Sequence, residues 1–301
     1  MGFFSKNKNY ILDGGSGQTL LEKGLVPKGT LWSATALIDE NLHNLVLDMH
    51  KDFINAGSDL IVTSNFSVRK KRFNEHNISN LFDYATKSAG MLAKKSADLT
   101  NRKIIVAGSL PTQGFVYSAR ELNDENEIYE GFSKTSQILN PYVDLFYLDV
   151  LTSIKEIKIS CKAVQKFNKP VLIGIHLNKE GNLPSSEKIE EVFDEIKNLN
   201  CCGIIAACVS PEIVELAQKK FKKYDLPYGF KVNAFKNITQ DSSFDSNYTG
   251  NPVENFGTRA DEFTPEVFKN FVKKISDNGS NLLGGCCEIK PKHIAKLKGL
   301  V

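Results

Sequence analysis

Apolar residues along this chain follow two rhythms. Short runs rich in Val, Ile, Leu and aromatic residues recur at 10–13, 60–64, 104–109, 143–150, 171–177, 203–209, 228–234 and 281–286, each bounded by Gly, Pro or polar residues. Several are continuously apolar, as strands buried on both faces are. Between them the period lengthens. Ile154, Ile157, Cys161 and Val164 recur at steps of three, four and three, which puts them on one face of a helix over 153–167. Ile189, Val192, Phe193 and Ile196 do the same over 187–199, and a further helix is predicted over 41–56. Thr264-Pro265-Glu266 reads as a helix start, with Thr264 as N-cap and Pro265 in the first turn, where its missing N–H costs nothing. Eight strand–helix alternations over 301 residues predict an α/β chain folded as a (β/α)8 TIM barrel in one domain, with a doubly wound open sheet as the runner-up. One connection breaks the rhythm. The stretch 233–263 has little periodicity, and loops of that length are usually lids or disordered segments. Following the seventh run, it is expected over the C-terminal face.

Composition narrows the function classes. The chain is 41% hydrophobic and 24% charged with a formal net charge of +3, which excludes a disordered chain, a collagen or a coiled coil and argues against a nucleic-acid partner. The one basic run, Arg69-Lys70-Lys71-Arg72, lacks interleaved aromatics and reads as a solvated loop or helix end. No run reaches the roughly 18–20 apolar residues of a membrane span. Met1-Gly2-Phe3-Phe4-Ser5-Lys6 fits neither a signal peptide nor the myristoylation pattern, so a cytoplasmic, reducing location without membrane contact is expected. There, six cysteines are more often metal-binding, catalytic or core than disulfide-bonded.

In such barrels chemistry sits at the C-terminal ends of the strands. The runs end at Asp13, Ser64, Ser109, Asp149, His176, Cys208, Asn233 and Cys286-Cys287. Cys208, Cys286 and Cys287 form a candidate zinc site, because a catalytic zinc takes three protein ligands and keeps a fourth position open. Adjacent cysteines of a regular strand point to opposite faces, so Cys286 and Cys287 converge only where the strand has ended or bulged. Gly284-Gly285 is expected to supply the backbone freedom for that. Cys201 and Cys202 lie six or seven residues earlier on the run of Cys208, about 20 Å away along an extended strand, and are read with Cys161 as structural. The glycine loop Gly14-Gly15-Ser16-Gly17 is neither a P-loop nor a dinucleotide fingerprint, and its amides are expected to face an anion such as a carboxylate. In a closed barrel the first strand adjoins the eighth, which sets Asp13 beside Cys286. A carboxylate and amides beside a metal suit a zwitterionic amino acid bearing a thiol. His176 reads as a hydrogen-bonded pocket residue, and His50 as a packing residue or one that supports the site residues from behind.

These residues resemble the homocysteine S-methyltransferase family over nearly the whole chain. The resemblance is carried by Leu12-Asp13-Gly14-Gly15-Ser16-Gly17, Leu31-Trp32-Ser33, His50 with Ala56-Gly57-Ser58-Asp59-Leu60-Ile61-Val62-Thr63, and Val106-Ala107-Gly108-Ser109-Leu110. Its most specific part is Leu283-Gly284-Gly285-Cys286-Cys287 followed by Pro291, His293 and Ile294, with Cys208 and Ser210-Pro211-Glu212 on the sixth run. Asp149-Val150 stands where the family has Glu-Thr. The resemblance implies one homocysteine-binding barrel over residues 1–301 and Zn2+ held by Cys208, Cys286 and Cys287. Homocysteine would take the fourth position as thiolate and accept a methyl group to give methionine. Asp13 and Asp149 would meet the substrate ammonium, and the amides from Gly14 and Gly15 onward its carboxylate, with no catalytic residue beyond the zinc site. S-methylmethionine, S-adenosylmethionine and betaine are the candidate donors. Another thiol or a selenol as acceptor, and a zinc-binding barrel without catalysis, are the alternatives. Partners are expected to be these small molecules, in a monomer or small homo-oligomer.

Overall fold

The computed structural model describes residues 2–114, 117–119, 124–237 and 250–300. Each predicted apolar run holds a strand: β1 (Tyr10–Ile11), β2 (Leu60–Val62), β3 (Ile105–Pro111), β4 (Leu145–Leu151), β5 (Val171–Ile175), β6 (Cys201–Val209), β7 (Tyr228–Val232) and β8 (Leu282–Gly285). All pair in parallel in the order β1-β8-β7-β6-β5-β4-β3-β2. The two ends of that order meet through one bridge, Leu12 to Leu60. There the Asp13 N–H donates to Leu60 O at 3.0 Å and the Asp59 N–H to Ile11 O at 2.7 Å. The sheet is therefore a barrel and not an open sheet.

Side-chain alternation sorts the core into two layers. On β4, Leu145 and Tyr147 fill the barrel, while Phe146 and Leu148 join the larger layer between strands and helices. On β6, Ile205 and Ala207 point inward and Ile204 and Ala206 outward. The outer ring follows from the amphipathic stretches. The helix Ile154–Val164 starts at Ser153, whose Oγ accepts from the Glu156 N–H at 3.1 Å. The helix Pro265–Asp277 starts at Thr264, whose Oγ1 accepts from the Val267 N–H at 3.4 Å. The helices His43–Ala56 and Ile189–Ile196 lie within their predicted spans. No described helix is long and apolar enough to cross a membrane.

Of the aperiodic stretch 233–263, positions 238–249 lie outside the described residues. Its flanks carry structure too short for a helical period to register. Pro252–Phe256 is a short helix capped by Asn251, and Phe235 bridges Thr258 in antiparallel fashion.

Two strands change register near their C-terminal ends, β4 between Leu148 and Leu151 and β6 between Ala207 and Val209. Left-handed residues stand at these breaks, Val150 with φ 62° and Cys208 with φ 55°. Such a φ is uncommon outside glycine, and for β-branched Val150 it is a genuine outlier. Bulges of this kind re-aim side chains, and residues held so tend to cluster at functional sites.

Candidate metal centre and substrate cavity

The bulge at Cys208 and the chain beyond β8 bring three thiols together. β8 ends at Gly285, so Cys286 and Cys287 lie past the last paired residue and escape strand alternation. The Cys286 N–H donates to Val232 O at 2.7 Å, the Ala234 N–H to Cys287 O at 3.1 Å, and the Ile289 N–H to Cys286 O at 3.1 Å. Asn233, at the end of β7, donates from Nδ2 to Cys208 O at 2.7 Å and so pins the left-handed turn. The Cys208 and Cys287 Sγ atoms are 3.9 Å apart, as are those of Cys286 and Cys287, and all three lie within 4.8 Å of one another.

Gly284 and Gly285 are needed for a reason other than the expected freedom, since neither has a positive φ. A Cβ on Gly285 would lie 2.2 Å from Ile289 Cγ2, and one on Gly284 would lie 2.6 Å from Leu12 Cβ. Close packing, not flexibility, excludes a side chain there. The same holds in the loop after β1. A Cβ on Gly14 would meet Ile289 O at 2.1 Å, and one on Gly17 the Trp32 ring at 2.1 Å. The Gly15 N–H already donates to Ile289 O at 2.7 Å, so that amide does not face a ligand.

A tetrahedral centre with metal–sulfur bonds of about 2.3 Å sets its sulfurs about 3.8 Å apart. The separations here fit. The donor set fits as well. The Cys208 thiol is held well below its usual range by hydrogen bonds from Cys286 and Cys287, while those two are pushed up, chiefly by Cys208. Three thiols this close ionise together only with a cation among them. Tyr117 Oη stands 3.6 Å from Cys208 Sγ, and its ring packs edge-on against His176 with centroids 5.0 Å apart.

A cavity, partly open to solvent, adjoins the thiols and is also lined by Asp149, Lys231, Gln18 and Phe66. Asp149 accepts from Ser109 Oγ at 2.8 Å. Burial raises its pKa to about 7 against the opposing pull of Lys231 and Ser109. Asp13 is placed differently from the expectation. It is fully buried and is not part of the cavity lining. Its Oδ1 accepts from Lys231 Nζ at 2.6 Å and its Oδ2 from the Val62 N–H at 2.7 Å. The carboxylate thus meets the protein's own ammonium. Burial raises the Asp13 pKa, while Asp13 and Asp149 hold the Lys231 ammonium in its charged form.

Lys231, Tyr117 and Gln18 were not singled out by sequence reasoning. Lys231 had a signal, as the one charge in the run Tyr228-Gly229-Phe230-Lys231-Val232 at a position that alternation turns inward. The basic run also departs from expectation. Lys70 opens the helix Lys70–Glu75, but Arg69 is buried and donates from Nη1 to Gly114 O at 2.9 Å. Burial lowers its pKa to about 9. His176 stays out of the thiol cluster, with Nδ1 3.3 Å from Ala207 O, and burial lowers its pKa to about 4. His50 is buried in the helix His43–Ala56. Cys201 and Cys202 sit at the other end of β6, contacting Ile196 O and Val171 O.

The family model described as homocysteine S-methyltransferase matches residues 10–301. Homocysteine S-methyltransferase 1 of Saccharomyces cerevisiae is 24% identical, over 98% of this chain and 94% of that one. S-methylmethionine–homocysteine S-methyltransferase BHMT2 of Pongo abelii is 22% identical, over 94% of this chain and 76% of that one. Among solved structures, the metallated form of the homocysteine methyltransferase MmuM from Escherichia coli superposes with a TM-score of 0.80 at 17% identity, covering 98% of this chain and 96% of that one.

Proposed function

The chain belongs to the homocysteine S-methyltransferase family, and on that premise we propose a zinc-dependent transfer of a methyl group from a sulfonium donor, S-methylmethionine foremost, to homocysteine, giving methionine. The observation that carries this reading is the cluster of Cys208, Cys286 and Cys287 at the wall of the cavity. Those three residues would hold the ion. Zinc bound there would supply the Lewis acidity that keeps an acceptor thiol ionised near neutral pH.

The remaining work falls to residues of the chain. Asp149, at the cavity wall, would meet the acceptor's ammonium, and Asp13 would support it indirectly by fixing Lys231. Gly15, in the cavity lining, leaves out a side chain that would lie 2.7 Å from Cys286 O. Trp32, Phe66, Tyr117 and Phe235 contribute aromatic surface to the lining, and aromatic faces attract methylated cations. The ionised sulfur attacks the donor's methyl carbon in line. As the new S–C bond forms, the old one breaks, and its electron pair stays on the donor sulfur and neutralises it. Once the acceptor is ionised, no side chain has to act as general base. All six cysteines are unpaired, which fits a reducing compartment such as the cytoplasm.

Mass spectrometry of protein purified under reductant should find close to one zinc per chain. The loaded protein should methylate homocysteine with S-methylmethionine more efficiently than with S-adenosylmethionine or betaine. Fully reduced protein that takes up no added zinc would overturn the reading. Competition between homocysteine and other thiols or selenols fixes the acceptor.

A further inference from the structure

Some polar groups in the cavity wall are left unused by the proposed chemistry. Gln18, in the short helix Ser16–Glu22, is 3% exposed, and neither its Nε2 nor its Oε1 has a hydrogen-bond partner among the described residues. Ser64 Oγ, in the same wall, has none either. A primary amide offers two N–H donors and an oxygen with two lone pairs, and native structures rarely bury such groups unsatisfied. An apolar side chain of the same length would fill the space without the desolvation cost.

The position of the amide indicates which molecule it would meet. The point where a Gly15 Cβ would stand is 3.1 Å from Gln18 Oε1, 2.7 Å from Cys286 O and 3.3 Å from Cys287 Cα. The carboxamide is therefore set against the backbone of two of the three cysteines, with only a glycine between them. We propose that the Gln18 carboxamide reads the α-amino-acid head of the thiol acceptor, Nε2–H donating to its carboxylate and Oε1 accepting from its ammonium. This rests on the methyl-transfer reading above. An acceptor whose sulfur lies at the three cysteines has its α-carbon three bonds away, so its head stays near the Cys286-Cys287 turn. A methyl donor must approach that sulfur from the side away from the cysteines, and its own head lies farther off. A single neutral amide presents both polarities, which matches a zwitterion better than it matches either charge alone.

Gln18→Met keeps the length and removes both polarities. Zinc-loaded parent and variant are compared with S-methylmethionine as donor and four acceptors: L-homocysteine, 4-mercaptobutanoate, 3-aminopropanethiol and 1-propanethiol. The preference for homocysteine over 1-propanethiol, as a ratio of kcat/KM, should fall roughly tenfold to a hundredfold in the variant. The loss should be carried by KM, and the two singly charged acceptors should show smaller losses. Calorimetric titration with homocysteine, which needs no donor, should weaken by a similar factor while zinc content holds. A ratio within twofold of the parent's, an unchanged calorimetric affinity, or a variant that loses zinc and thermal stability together would overturn the assignment and leave Gln18 a packing residue. A parent that neither binds nor methylates homocysteine would overturn the methyl-transfer reading itself, before any variant is made.

Discussion

Strand β6 begins with two cysteines and closes with another, and its two ends use them differently. At the start, Cys201 and Cys202 sit at a register shift against β5, keep a negative φ and engage separate carbonyls, Ile196 O and Val171 O. Burial raises both thiols, as it raises nearby Cys161 to about 12, so all three stay protonated. At the far end Cys208 leaves the strand conformation at φ 55° and meets two cysteines that lie beyond β8. Residue type is the same at both ends. Both ends carry a register shift, so what separates a ligand set from three inert thiols is the left-handed turn at Cys208 and the two cysteines beyond β8 that it meets.

The sharpest way to break this contrast is one serine at each end. Cys208→Ser should abolish zinc retention and methyl transfer, a loss beyond the roughly 10–100-fold that follows removal of a mere outer-sphere partner. Cys202→Ser should retain zinc and turnover, measured by the same mass spectrometry and donor assay. The next effect is on stability. Lys231→Met strands the Asp13 carboxylate in the barrel and should cost about 3–5 kcal/mol in denaturant unfolding, most of it recovered by adding Asp13→Asn. Removing the exposed pair Lys274–Glu215, whose side chains are 60% and 49% exposed, should cost at most about 1 kcal/mol.

A third test uses pH. The folded-state pKa of Asp149 is raised from 3.8 to about 7. Its contribution to stability is therefore fully present below about pH 4 and is lost as pH rises through about 7. Asp149→Asn has no such loss. Its stability relative to the parent should climb between pH 4 and 8, by an amount on the order of a few kcal/mol, read from melting curves at the two ends. The parent's KM for homocysteine should fall as pH rises through about 7, and the variant's should not follow. Another small effect is expected outside the cavity. Ser153→Ala removes the cap of the helix Ile154–Val164 and should cost about 1 kcal/mol with zinc content unchanged.

The barrel was legible because its signals are local. Each apolar run and each amphipathic face is a property of neighbouring residues, and so are the caps at Ser153 and Thr264. The thiol cluster was legible for the same reason, since strand ends can be counted without knowing how they curve. The charge arrangement was not. Asp13 and Lys231 are 218 positions apart, and only closure of the ring decides that they pair. Nor could the glycines at 14, 17, 284 and 285 be told from hinge glycines by sequence, because the atoms that exclude a Cβ belong to Ile289, Trp32 and Leu12. Tyr117 reaches Cys208 from a loop 91 positions earlier, with no periodicity to announce it.

The seam of the barrel gives Asp13 a second significance. Between β1 and β2 the backbone contributes a single bridge, and β1 is held to β8 by only two residue pairs. The Asp13 side chain spans that gap, taking the Val62 amide on one side and the Lys231 ammonium from β7, two strands away, on the other. It acts as a rivet in the thinnest joint of the cylinder. Opening the joint would separate Asp13 from Val62 and draw on Lys231, the cation between it and Asp149. Amide hydrogens at Asp13 and Val62 should therefore report, by their exchange with solvent, on the integrity of the cavity as well as of the sheet.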